Sequence, residues 1–294
     1  MPQHDAAWYE AQYNNRARVP EAPALLAAWA AASAQARRGL RGQLDLRYGD
    51  GPADTVDVFV PPAPAGPGAP GAPVLVFIHG GYWRALGKAD HSFVAPAFVR
   101  AGAVVVVPDY ALCPAVGIEH IALQMARALA WVWRHAADWG GDPSRIVVAG
   151  HSAGGHLAAM LLACRWPDLA GDLPRRLLRG ALALSGLFDL EPIRCTPFLQ
   201  ADLQLTPAAV RRLSPAFFPR PQHNGPLAAL VGADESEEFL RQNQLIRDQW
   251  GPSAVPVCQV VPGCNHFSVL GDLADAAGLA HGHALFLLGL RGGR

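Results

Sequence analysis

Gly150-His151-Ser152-Ala153-Gly154-Gly155 follows the apolar run Arg145-Ile146-Val147-Val148-Ala149 and precedes Leu157-Ala158-Ala159-Met160-Leu161-Leu162. A β-branched run, a glycine-flanked turn and an apolar helical segment read, in that order, as strand, sharp turn and helix. The turn has the form G-x-S-x-G, in which small residues two positions either side of Ser152 let the chain reverse tightly enough to hold the serine Oγ above a sheet. In a chain with 30 glycines such a pattern also arises by chance, so its flanks carry the argument. A plain glycine turn needs neither the strand before it nor the helix after it. Ser152 is therefore read as a nucleophile.

The segments on either side of this turn extend the pattern. Val74-Leu75-Val76-Phe77-Ile78 and Ala103-Val104-Val105-Val106-Val107 are continuously apolar, as strands buried on both faces are. Residues 93–100 and 118–137 read as helices between these strands and the turn. Beyond the turn, residues 181–184, 227–231 and 255–261 predict three more strands, the last two separated by a helix opening near Ser236. Glu237 and Glu238 stand in that helix's first turn, where the dipole favours negative charge. A final helix is expected over residues 272–288. Near the start, residues 44–48 and 55–60 alternate apolar with polar around Gly49-Asp50-Gly51, which predicts a hairpin of half-exposed strands.

Alternating strands and helices of this kind specify an α/β fold: a mostly parallel, eight-stranded, doubly wound sheet opened by an antiparallel hairpin, as a single domain over residues 1–294. Residues 1–40 read as a helical N-terminal segment divided by Pro20 and Pro23, either a surface helix pair or part of a lid. Residues 61–73 form a proline-, glycine- and alanine-rich loop too short to separate domains. Residues 187–225, rich in Pro and Phe, are expected to form a short cap insert.

Composition narrows the function classes. Lys+Arg number 24 and Asp+Glu 24, a balance that disfavours nucleic acid or an anionic membrane as partner. The five cysteines are widely spaced without a C-x-x-C, which predicts neither a disulfide framework nor a thiolate zinc site and suits a reducing cytoplasm. No signal peptide is read at Met1-Pro2-Gln3-His4-Asp5, and no uninterrupted apolar run of about 18 residues is present.

A serine hydroxyl is a weak nucleophile at neutral pH, so it needs a base and a third group that fixes the base's tautomer. In this architecture the order is Ser, acid, His, each in a loop after a strand. Asp234, just beyond the strand ending at Val231, and His266, just beyond the strand ending at Val261, meet that requirement. Asp189 is the second candidate for the acid. His223 precedes its strand, His281 and His283 lie within a helical segment, and His151 and His156 are too close to the turn to swing back onto Ser152. Donors for a developing oxyanion are expected from the N–H of Ala153 and from His79-Gly80-Gly81-Tyr82-Trp83, the loop after the strand ending at Ile78. Tyr82, Trp83, Leu187, Phe188 and Phe267, grouped at strand ends, are candidates for an aromatic-lined substrate pocket.

Together, His79-Gly80-Gly81-Tyr82-Trp83, Pro108-Asp109-Tyr110-Ala111-Leu112-Cys113-Pro114, Gly141-Asp142-Pro143-Ser144-Arg145-Ile146 and Gly150-His151-Ser152-Ala153-Gly154-Gly155 resemble the hormone-sensitive-lipase-like branch of α/β-hydrolases. Within it the chain is similar to the kynurenine formamidase (arylformamidase) group, through His79-Gly80-Gly81-Tyr82-Trp83, Tyr13-Asn14-Asn15-Arg16, Ser185-Gly186-Leu187-Phe188-Asp189-Leu190-Glu191-Pro192 and Asp234-Glu235-Ser236-Glu237-Glu238-Phe239. The resemblance spans nearly the whole chain. It implies Ser152 as nucleophile, Asp234 as acid, His266 as base, and Gly81, Tyr82 and Ala153 as oxyanion donors, with no metal and no organic cofactor. Tyr82 stands where the HGGG form has its third glycine, a departure shared by formamidases and general esterases. The expected function is hydrolysis of small esters or N-formyl aryl amides through an acyl-enzyme. The alternatives are a broad short-chain carboxylesterase and a non-catalytic ligand-binding protein. The expected partner is a small-molecule ester or formamide, and the oligomeric state is left open, a homodimer included.

Overall fold

The computed structural model describes residues 4–62 and 71–290, so most of the proline-rich stretch 61–73 lies outside the described residues. Eight strands form one sheet: β1 (Gly42–Arg47), β2 (Thr55–Phe59), β3 (Ala72–Ile78), β4 (Val104–Pro108), β5 (Gly141–His151), β6 (Leu178–Leu184), β7 (Leu227–Gly232) and β8 (Val257–Val261). Their spatial order is β1-β2-β4-β3-β5-β6-β7-β8, and among the described residues antiparallel pairing occurs only at β1–β2 and β2–β4. Because β3 through β8 run parallel, the loops leaving their C-terminal ends share one edge of the sheet, where ligands bind in open α/β folds.

The helices are α1 (Ala6–Tyr13), α2 (Asn15–Arg18), α3 (Ala22–Gly39), α4 (Ala95–Arg100), α5 (Ile118–His135), α6 (Ala153–Leu162), α7 (Trp166–Leu169), α8 (Glu191–Cys195), α9 (Pro197–Leu203), α10 (Pro207–Leu213), α11 (Glu237–Trp250), α12 (Ser268–Ala274) and α13 (Leu279–Leu288). They cover both faces. Along β3, Val74, Val76 and Ile78 join a core with Leu129 of α5, Leu157 of α6 and Trp250 of α11. The alternate residues Leu75 and Phe77 join a second core with Phe98 of α4, Leu270 of α12 and Leu285 of α13. The period of two in a strand thus explains why an unbroken apolar run was required: each successive side chain enters a different core. The cap, α8 to α10, rises beyond β6. No helix among the described residues is long and apolar enough to cross a membrane.

Three expectations need correction. The hairpin strands are unequal: β1 is largely exposed, but β2 is buried because Val56 and Val58 enter the first core and Phe59 the second. The polar residue of its alternation, Asp57, is fully buried and is neutralised by Lys88 Nζ at 3.0 Å and Arg37 Nε of α3 at 2.9 Å. A buried carboxylate is tolerable only with such partners, and here they also fasten the N-terminal segment to the sheet. Next, β8 begins at Val257, after Pro256, which has no N–H to give a ladder. Finally, the expected helix over 272–288 is two helices. Asp272 accepts the N–H groups of Leu279 at 3.1 Å and Ala280 at 2.6 Å, starting α13 afresh.

Candidate active site

Ser152 sits where β5 turns into α6, with φ 56° and ψ −117°, outside the conformations most residues adopt. Its N–H donates to Leu184 O of the adjacent strand at 2.8 Å, which pins the turn. The flanking glycines are steric requirements. A Cβ on Gly150 would stand 2.1 Å from Gly154 O, and one on Gly154 would stand 2.0 Å from Ile78 O. Ala153, buried, is the first residue of α6, so its N–H has no partner within the helix.

His266 is brought to the same cleft by the turn after β8. Its Nδ1 is 2.6 Å from Glu235 Oε2, in a pair whose side chains are 6% and 0% exposed. The carboxylate is Glu235, not Asp234. In the turn after β7, the Glu235 N–H bonds back to Gly232 O at 3.2 Å and the side chain folds inward. Its second oxygen accepts from Ser185 Oγ at 2.5 Å and from the Gly232 N–H at 2.8 Å. Asp234, one residue earlier in the same turn, is exposed, and only its backbone N–H is engaged, by Cys264 O at 3.0 Å. Asp189 is also displaced from the role: it caps the Glu191 N–H at 3.0 Å and lies 3.7 Å from Arg241. Burial pushes the Asp189 carboxyl up from its ordinary value.

His151, inside the elbow, has a part the sequence did not suggest. Its Nε2–H donates to His266 O at 2.8 Å, tying the histidine-bearing turn to the elbow. Burial, with His266 nearby, pushes its pKa well below the ordinary value, so the ring stays neutral and keeps this single donor. On the other side, the loop after β3 packs on the elbow so closely that a Cβ on Gly80 would lie 2.8 Å from His151 O. His79 stacks on Tyr110 at 4.0 Å, and the Tyr110 hydroxyl donates to His79 O at 3.0 Å.

Ser152, His266, Gly81, Tyr82 and Phe267 line one cleft of about 530 Å³. A larger depression of about 670 Å³ lies at the opposite end of the sheet, around Arg41, Gly140 and Leu290, and holds none of the candidate residues. Trp83, Leu187 and Phe188 do not line the cleft: all three are fully buried. Trp83 packs edge-on against His156 at 5.0 Å, and Phe188 fills the space where a Gly186 Cβ would be. Further wall comes from Asn14, Asn15, Leu26 and Trp29 of the N-terminal segment, from Arg84 and Leu86 of the loop after β3, and from Phe198 and Asp202 of the cap. Tyr13-Asn14-Asn15-Arg16 carries part of the resemblance read from the sequence, and tertiary packing brings Asn14, Asn15 and Arg16 to the cleft that Ser152 lines. Among the described residues no group of three His, Cys, Asp or Glu side chains is placed to hold a metal.

Two further histidines set an acid limit on stability. Burial holds His91 down at about 3 and His156 at about 4. In the unfolded chain both recover ordinary values near 6.5, so on acidification the unfolded state takes up protons first and the folded state loses stability. The loss begins as pH falls through about 6.5 and is complete only below about 3. By pH 5 the two together are expected to remove about 4 kcal/mol. Urea unfolding at pH 7.5 and pH 5 checks this, and equal unfolding free energies at the two values would contradict it.

The chain is similar to several known proteins. A family model described as the alpha/beta hydrolase fold matches residues 75–245. Kynurenine formamidase of Danio rerio is 28% identical over 246 residues, covering 82% of this chain and 80% of that protein. Carboxylesterase NlhH of Mycobacterium tuberculosis is 47% identical over 94 residues, 30% of this chain and 28% of that one. Among solved structures, a candidate thioesterase from Silicibacter sp. TM1040 is 30% identical with a TM-score of 0.78, covering 92% of this chain and 96% of that one.

Proposed function

The chain belongs to the alpha/beta-hydrolase fold family and is an enzyme of the hydrolase type, and on that premise we propose that it cleaves small carboxylic esters and N-formyl aryl amides through an acyl-enzyme on Ser152. The observation that carries this reading is the 2.6 Å pairing of His266 Nδ1 with buried Glu235 in the cleft that Ser152 also lines. With Nδ1–H committed to the carboxylate, Nε2 is the free basic nitrogen. In the proposed cycle His266 takes the proton of Ser152 as its Oγ attacks the carbonyl. The tetrahedral oxyanion forms against the N–H groups of Gly81, Tyr82 and Ala153. His266 then passes the proton to the leaving amine or alcohol, and water repeats the sequence on the acyl-enzyme. The whole chain is proposed to act as one domain, with the N-terminal segment as a cover. A cytoplasmic location is proposed from the five cysteines, none of which is in a disulfide.

The kinship with kynurenine formamidase favours a formyl aryl amide such as N-formylkynurenine. The stretch shared with carboxylesterase NlhH supports the second reading, a broad short-chain esterase. Trp29, Phe267, Tyr82 and Phe198 crowd the cleft, with Phe198 edge-on to Tyr82 at 5.9 Å and Trp29 at 6.0 Å from Phe267. Short acyl groups and aryl leaving groups should therefore be preferred, each well-placed ring adding about 0.5 to 1.5 kcal/mol beyond area burial. The test is kcat/KM for phenyl esters from acetyl to dodecanoyl, with formanilide and N-formylkynurenine alongside. Efficiency rising to the longest chains would overturn the small-acyl cleft. Ester turnover without either formamide would select the general esterase.

A further inference from the structure

The loop after β3 leaves ordinary backbone space at three consecutive residues: Gly81 at φ 107°, Tyr82 at 50° and Trp83 at 56°. Glycine accepts this region freely, but a tyrosine and a tryptophan do so at a cost, and such backbone persists only where its surroundings over-determine it. The buried Trp83 ring supplies one anchor from below. Two more come from the elements that cover the cleft.

From the N-terminal segment, the Tyr82 hydroxyl donates to Tyr13 O at 2.7 Å, and Asn15 Nδ2 reaches the same hydroxyl at 3.4 Å. Tyr13 is itself fixed, its hydroxyl donating to Glu238 Oε2 at 2.6 Å and accepting from Gln242 Nε2 at 3.2 Å. From the cap, Asp202 pairs with the Arg84 guanidinium, which also donates to Phe198 O at 3.1 Å and lies over the Phe198 ring at 5.3 Å. Arg84 is bound back into the loop, its N–H donating to Gly81 O at 3.1 Å.

We propose that the Tyr82 phenol and the Arg84 guanidinium are positioning residues that hold the strained Gly81–Tyr82 backbone, and with it the oxyanion donors, from the N-terminal segment and the cap respectively. This rests on the reading of that loop as the oxyanion site. The Tyr82 hydroxyl has its proton committed to Tyr13 O, so it acts on the loop and not on the substrate. A donor that drifts by a fraction of an ångström costs the transition state more than the bound substrate, because the negative charge develops only in the former.

The test uses the full chain with Tyr82→Phe, which keeps the ring and removes only the tether, and Asp202→Asn, which weakens the cap tether from the partner side. In each, kcat for an acetyl ester is expected to fall about tenfold or more, short of the roughly 100-fold or greater loss on deleting a donor outright. KM should stay within about threefold, and affinity for a tetrahedral boronic-acid inhibitor should weaken in step with kcat/KM. Unchanged kcat and inhibitor affinity in folded Tyr82→Phe, or a change confined to KM, would overturn the proposal. If Tyr82→Phe does not fold, the Asp202→Asn result decides by the same criteria. An inactive wild-type protein would instead sink the hydrolase reading itself, so the two failures are distinguishable.

Discussion

Ser152→Ala is expected to fold as the wild-type protein does and to lose hydrolysis by a factor on the order of 10⁶ in kcat, because nucleophile and base act as a unit and either alone is worth little. The folding half of the expectation follows from the geometry. The turn is held by the Ser152 backbone N–H on Leu184 O and by the close approach of Gly154 to Ile78 O, neither of which involves the hydroxyl. Substrate affinity should change little, since the cleft walls are untouched. Rates for the best ester from the chain-length series, with the unfolding midpoint measured in parallel, check both halves. Activity within tenfold of wild type would end the serine mechanism.

The second large effect separates two adjacent carboxylates. In Glu235→Gln the amide oxygen can keep the Ser185 and Gly232 donors, but its NH₂ then faces His266 Nδ1. The imidazole must accept there and carry its proton on Nε2, where it can no longer take one from Ser152. The wrong tautomer is expected to lower kcat by on the order of 10⁴, while Asp234→Asn, at an exposed side chain, should stay close to wild type. Comparing the two kcat values checks the assignment, and the reverse order of effects would return the acid to Asp234.

That pair also shows where sequence reading stopped. The loop after β7 was legible as the acid's position, because a strand followed by a short turn rich in carboxylates is a strong local pattern. Which of Asp234 and Glu235 turns inward is decided by the Glu235 N–H bonding to Gly232 O and by the donors waiting on Ser185 and Gly232. Those donors come from two different strands and leave no mark on periodicity. The sheet was legible for the opposite reason: continuous apolar runs such as Val74 to Ile78 can be satisfied only by two cores, and the structure supplies both. Trp83, Leu187 and Phe188 stand at strand ends, where local sequence predicts a pocket. All three lie in the first core, Trp83 edge-on against His156 of α6 and Phe188 over Gly186, a tertiary effect that local aromatic content does not report. Conversely, Asn15 and Trp29 reach the cleft across more than a hundred residues of chain: local sequence leaves residues 1–40 open between a surface helix pair and a lid, and only long-range packing puts these two side chains in the cleft wall.

The most direct test of the central claim is the intact mass of the protein after reaction with a fluorophosphonate, followed by peptide mapping and residual ester hydrolysis. The account predicts one adduct per chain, on the peptide carrying Ser152, formed in proportion to the activity lost and absent from Ser152→Ala. Hydrolysis that persists after complete modification of Ser152, or that disappears with an adduct located elsewhere, would contradict it.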